Sequence, residues 1–249
     1  MDWLHSTGFV IWLTGMRKAG KTTLASQIAQ RLGQIGRPAL LLDEDGEAKL
    51  LIEGLGGSKD DHAVVVKRFG YVARAVARAG GIAVCSALSP YREPREAVRR
   101  EVRRFVEVFV DAPMETLLQR DGKEALYKRA LASEIQGVVG VDLPYEPPAH
   151  AELVVRTDQE PVEASVTRVF QALVDGKYIG PTEFGHLTGG QRPKRKPAKP
   201  AKGAKPGKAA KPGKAAKAAK AAKAKPGAVV RSAARKAPKK AAARTAKKR

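Results

Sequence analysis

Gly15-Met16-Arg17-Lys18-Ala19-Gly20-Lys21-Thr22 is the stretch that decides the fold of this chain. It satisfies the pattern G-x-x-x-x-G-K-[ST]. In that pattern successive backbone N–H groups, together with the start of the following helix, face a phosphate. Lys21 is spaced to reach the β- and γ-phosphates of a nucleoside triphosphate, and the Thr22 hydroxyl to meet Mg2+. Thr23 follows them into the same cradle. Before the loop lies an apolar run, 8–14 (GFVIWLT), which reads as a buried strand. After it the sequence predicts a helix over 21–32, ending at Gly33. Strand, Gly-rich turn and helix in that order is the context that turns a pattern into a nucleotide site. ATP and Mg2+ are therefore the expected cofactors.

Outward from the loop, short apolar runs alternate with segments of helical period, the mark of a parallel α/β sheet. Strands are predicted at 38–42, 81–87, 105–111 and 151–155. Helices are predicted at 61–78, where Val65, Phe69, Val72 and Val76 recur at helical spacing, and at 92–103 and 161–174. Pro113 suits a helix start, where its missing N–H would be unpaired anyway. The polar segment 120–148 reads as a lid over a site. The fold class is α/β: a P-loop three-layer sandwich with a five-stranded parallel sheet, followed by a disordered basic tail.

Charge divides the chain. Of its 47 Lys and Arg residues, 23 fall in 191–249, which holds no Asp or Glu, leaving 24 against 25 acidic residues in 1–190. The formal +22 thus belongs to the tail. That segment, with repeats such as Lys-Pro-Gly-Lys-Ala-Ala at 205–210 and 211–216, has too few large apolar residues to offset its ordering entropy. The expected organisation is a kinase domain over 1–177, a linker over 178–190 and a disordered tail over 191–249. Such a tail binds nucleic acid or other polyanions by counterion release, without sequence preference. The lone cysteine, Cys85, sits in an apolar run and reads as a buried structural thiol. No secretory signal or membrane-length apolar stretch is visible, so a cytoplasmic protein is expected, nucleoid-associated if the tail binds DNA.

Asp43 and Asp45 end the second strand beside the loop, where open α/β sheets place ligands. A carboxylate there can orient an acceptor hydroxyl or hold Mg2+ through water. Arg120 and Lys123 open the lid and could stabilise a transferring phosphoryl group. His5, His150 and His186 show no metal-ligand spacing.

From residue 8 to about 174 the chain resembles the adenylylsulfate (APS) kinases. The resemblance rests on GFVIWLTG before the loop, Leu42-Asp43-x-Asp45, Ser89-Pro90-Tyr91-Arg92 and VEVFVDAP at 106–113. Gln119-Arg120-Asp121, Leu126-Tyr127-Lys128 and the run from Gly140 to Pro148 add to it. It implies transfer of the ATP γ-phosphoryl group to the 3′-hydroxyl of adenylyl sulfate, in sulfate activation, by a homodimer. It also implies that the first acidic pair serves the acceptor hydroxyl and the metal. Acceptor contacts would come from Asp45, His62, Leu88, Ser89, Arg92, Lys123, Gly137 and Val138. A serine matching Ser89 has been described in that family as a phosphorylated intermediate, which makes Ser89 a catalytic candidate beside Lys21, Asp43 and Asp45.

The departures fall on the acceptor side. Ala48 and His62 stand where the family has arginines, Gly57 and Val138 where it has aromatics, and Val65 where it has asparagine. Arg17-Lys18-Ala19 replaces a typical Ser-Gly-Ser, and one residue is inserted between Lys123 and Leu126. Charge-assisted hydrogen bonds are each worth about 1.5–3 kcal/mol and a stacked aromatic about 0.5–1.5 kcal/mol. The lost groups together represent on the order of 4–9 kcal/mol of acceptor binding. Arg17, Lys18, Lys49 and Lys67 are nearby cations able to replace charge. Two alternatives stay open: a kinase for another small acceptor, and a catalytically weak nucleotide-binding module tethered to nucleic acid by its tail.

Overall fold

The computed structural model describes residues 8–46 and 48–189, and the tail expected at 191–249 lies outside them. Five strands, β1 (Phe9–Thr14), β2 (Ala39–Asp43), β3 (Ile82–Ala87), β4 (Phe105–Asp111) and β5 (Leu153–Arg156), form one parallel sheet in the order β2-β3-β1-β4-β5. Because β1 lies between β3 and β4, the connections diverge at its carboxyl end, where such sheets open a crevice. The register sets Thr14 beside Ala87 and Asp43 beside Ser86 along that edge.

Period-two alternation along β1 divides the core between two faces. Phe9, Ile11 and Leu13 pack with Leu24, Ile28 and Leu32 of α1 (Lys21–Gln34) and with Val166, Val169 and Phe170 of α6 (Val162–Asp175). Val10 and Trp12 face the other way, onto Val65, Val66 and Phe69 of α2 (Lys59–Arg78) and Val98 of α3 (Arg92–Glu101). Cys85 joins this second cluster, fully buried, and burial pushes its thiol up. The structural reading of the thiol holds.

Several boundaries differ from the sequence expectation, most by a residue or two, and three of the differences have a local cause. Helix α1 runs through Gly33 to Gln34, because the left-handed glycine that ends it is Gly36, at φ 83°, whose amide donates to the Gly33 carbonyl at 3.1 Å. Helix α2 starts two residues before Asp61 because Ser58 and Asp61 form a reciprocal cap: the Asp61 amide donates to Ser58 Oγ at 3.1 Å, and the Ser58 amide to Asp61 Oδ2 at 3.2 Å. The expected linker 178–190 contains a packed helix, α7 (Pro181–Leu187). Ile179 and Leu187 are buried, and Arg37 pairs with Glu183 at 2.8 Å. In the lid, α4 (Met114–Arg120) and α5 (Leu126–Leu131) are joined through Ala125 at φ 47°, next to the expected insertion.

A charged network holds the lid's far end. Arg95 is only 2 % exposed. Its Nε donates to Glu107 Oε1 at 2.9 Å, and its two other nitrogens to the carbonyls of Ser89 at 2.5 Å and Glu146 at 2.6 Å. Removing one partner of a buried pair leaves an uncompensated charge, at a cost of roughly 3–5 kcal/mol. Arg99 also reaches Glu107, at 3.1 Å, and can partly screen the orphan. Arg95→Ala should therefore lose about 3 kcal/mol of stability in urea denaturation.

Candidate active site

The cradle is built where β1 turns into α1. A Cβ at Gly15 would lie 2.2 Å from the Val110 carbonyl oxygen, so only glycine lets the loop pass β4. Gly20, at φ 103°, brings the chain into the first turn of α1. Tyr127 Oη donates to the Arg17 carbonyl at 3.0 Å, and Thr157 Oγ1 to the Ala19 carbonyl at 2.8 Å. Arg120 donates to Thr157 Oγ1 and to the Thr157 carbonyl, both at 2.8 Å. The loop is thus clamped from the lid and from beyond β5. Burial raises the Tyr127 phenol to about 12, which keeps it a donor at neutral pH.

Lys21 is buried, and its Nζ donates to the Met16 carbonyl at 2.9 Å. Burial, opposed by Glu44 and Asp45, lowers its ammonium to about 8. Thr22 Oγ1 donates to Asp43 Oδ1 at 3.0 Å. Asp43 itself is buried. A hydroxyl and a carboxylate in contact suit Mg2+, which takes oxygen ligands and keeps waters and phosphate oxygens in its remaining positions.

These groups open on a cleft of about 990 Å3, lined by Lys18, Gly20, Lys21, Thr22, Thr23 and Arg120 among others. Beyond it lies a second cavity of about 460 Å3, walled by His62, Val65, Leu88, Gly137 and Val138. Arg17, Glu44 and Ile52 line both, so the cavities meet at the loop. The first has the volume and the phosphate loop that a nucleotide site requires.

Several expected residues fall elsewhere. Ser89 is 2 % exposed, and its hydroxyl accepts from Trp12 Nε1 at 3.1 Å while donating to Thr14 Oγ1 at 2.9 Å. A hydroxyl turned into the core is not placed to be phosphorylated, which corrects its catalytic candidacy. Arg92 lines neither cavity: its guanidinium donates to the Pro147 carbonyl at 3.3 Å. Lys123 also lines neither, whereas its neighbour Glu124 reaches the cleft and pairs with Lys18 at 2.7 Å. Asp45 lines the nucleotide cleft rather than the second cavity, paired with Arg17 at 3.2 Å. His62 does wall the second cavity, with Nε2 buried and unpartnered. Burial lowers its pKa, so its ring is neutral at physiological pH.

Glu44 and Thr157 were not singled out by sequence, and Tyr127 stood only within the segment Leu126-Tyr127-Lys128, without a role. Glu44 carried no signal except its place between two aspartates. Its Oε2 accepts the Leu88 amide at 2.6 Å, tying β2 to the turn after β3. Thr157 had none.

The adenylylsulphate kinase family model matches residues 7–156, which span all five strands and the whole lining of the second cavity. The chain belongs to the adenylylsulfate kinase family. An adenylyl-sulfate kinase of Rippkaea orientalis is 45 % identical over 176 residues, covering 71 % of this chain and 97 % of the relative. One from Picosynechococcus is 44 % identical over 178 residues, 72 % of this chain and 100 % of the relative. Among solved structures, the Mycobacterium tuberculosis APS kinase in complex with AMPPNP and APS superposes with a TM-score of 0.63 at 31 % identity. That match covers 67 % of this chain and 98 % of the other. The family body thus ends before the basic tail.

The lowered Lys21 pKa has a measurable consequence for ATP. In the free protein Lys21 loses its proton as pH rises through about 8, and nucleotide phosphates favour the protonated form. Calorimetry in buffers of different ionisation enthalpy should show proton uptake on ATP binding at about pH 8–9 and little at about pH 6.5.

Proposed function

We propose that this adenylylsulfate kinase transfers the γ-phosphoryl group of ATP to the 3′-hydroxyl of adenylyl sulfate. The observation that carries the reading is the junction of two cavities at a complete phosphate cradle, with Lys21 and the Thr22–Asp43 pair beside it. Loop amides hold the β-phosphate, and Lys21 exchanges the Met16 carbonyl for the β- and γ-phosphate oxygens. Thr22 and, through water, Asp43 would hold Mg2+, which would supply charge neutralisation for the phosphates. Asp45 accepts the proton of the acceptor hydroxyl as its oxygen bonds to phosphorus and the bond to the ADP oxygen breaks. Arg120 keeps the cradle in shape through Thr157. Direct in-line transfer needs no phosphorylated protein group, in keeping with the buried Ser89 hydroxyl.

The losses on the acceptor side have a structural counterpart. Ala48 and Val65 are buried in the cluster against α2 and extend the core where the family carries polar groups. Gly57 and Val138 leave the second cavity walled by small and aliphatic groups. This supports a weakened grip on the adenine ring with the reaction preserved. A homodimer in the cytoplasm belongs to the same proposal.

Full-length protein given ATP, Mg2+ and adenylyl sulfate should release ADP only when the acceptor is present. Lys21→Ala should cut that turnover by about 10²-fold or more, since it removes charge stabilisation from the transferring group. ATP binding without turnover on adenylyl sulfate would refute the reading.

A second reading concerns the tail alone. Its 23 cations without an acidic residue support non-specific binding of nucleic acid. Affinity for duplex DNA should fall steeply between about 50 and 200 mM salt and disappear when 191–249 are removed. Affinity insensitive to salt would exclude it.

A further inference from the structure

We propose that Arg17 grips the anionic end of the acceptor, exchanging its ion pair with Asp45 for one with the phosphosulfate group; this rests on the adenylylsulfate kinase reading above. Adenylyl sulfate carries negative charge on both its phosphoryl and its sulfuryl oxygens. It must bring that charge into a cavity that Glu44 also lines. Among the described residues lining that cavity, Arg17 alone is a cation at neutral pH, because burial keeps His62 neutral. The family's arginine position offers no help, since Ala48 is 6 % exposed and packed in the core.

Arg17 also lines the nucleotide cleft, so its side chain stands where the two substrates meet. Its present partner is weakly held. The Arg17–Asp45 pair spans 3.2 Å with both side chains about half exposed, and exposed pairs of this kind contribute little. An incoming phosphoryl or sulfuryl group presents pairs of oxygens that the planar guanidinium fork can bind bidentately. The backbone need not move, because Tyr127 fixes the Arg17 carbonyl at 3.0 Å. Only the side chain swings.

The exchange also releases Asp45. While paired with Arg17, that carboxylate is occupied. Once the acceptor's anion takes the guanidinium, Asp45 is free for the hydroxyl. Acceptor binding thereby arms the base, and ATP bound alone meets an occupied carboxylate.

The test is steady-state kinetics on the full chain with ATP, Mg2+ and varied adenylyl sulfate. Arg17→Ala should raise the KM for adenylyl sulfate by about 10- to 100-fold, the effect of losing a charge-assisted contact. The KM for ATP should rise at least tenfold less. Arg17→Lys should recover part of the loss, keeping the charge without the fork. Guanidinium ion added to Arg17→Ala should restore turnover saturably, which a structural role would not produce. An unchanged acceptor KM in Arg17→Ala, or equal rises for both substrates, overturns the inference while leaving the kinase reading intact. Wild-type protein that neither binds nor turns over adenylyl sulfate overturns both.

Discussion

Between β1 and α1 the chain must turn with its amides facing inward while passing within touching distance of β4. The Val110 carbonyl occupies the space a Cβ at residue 15 would need, and this close approach sets the position of everything nearby. It aims α1 at the crevice, puts Lys21 under the loop and brings Thr22 against the end of β2. Both cavities border the same turn, the larger through Gly20 and Lys21 and both through Arg17. A loop so constrained needs supports that do not themselves compete for phosphate. The supports found are a phenol and a threonine hydroxyl donating to carbonyls on the loop's outer side.

The acceptor side is held by different physics. Arg95 joins β4, the turn after β3 and the lid's end in one buried knot, with Glu107 as counter-charge. Beside it a chain of hydroxyls runs from Tyr145 and Ser89 to Thr14, which donates to the Leu88 carbonyl at 3.1 Å. Ser89 pays for its place with a positive φ of 37°, a conformation that the bonds from Trp12 and to Thr14 hold in place. Chemistry-bearing side chains at this end serve shape first. That explains how Ser89 and Arg92 can belong to a distinctive motif and still lie outside the cavity.

The donor half was legible because its geometry is local. Eight consecutive residues with a strand before and a helix after leave one arrangement, and Asp43 follows from the end of the neighbouring strand. The sheet was legible too, since buried parallel strands are continuous apolar runs and all five appeared as such. What escaped depends on residues distant in sequence. Thr157 is 138 positions from the carbonyl it holds, and Tyr127 is 110 from its own. Arg95 read as one more charge on a polar helix, because burial is a property of the packed sheet beneath it. The Ser58 cap and α7 were missed for another reason: their polar and glycine-rich composition masks a cap and two buried anchors, Ile179 and Leu187.

The clamp on the phosphate loop also has a place in time. Thr157 is made 138 residues after the carbonyl it secures. At roughly 5–20 residues per second, the gap is on the order of 7–28 s of synthesis. During that interval the nascent chain carries a finished glycine-rich motif with neither β5 beside it nor Arg120 anchored across it. The loop's final shape is therefore set by a hydroxyl that the chain acquires only after all five strands have been made.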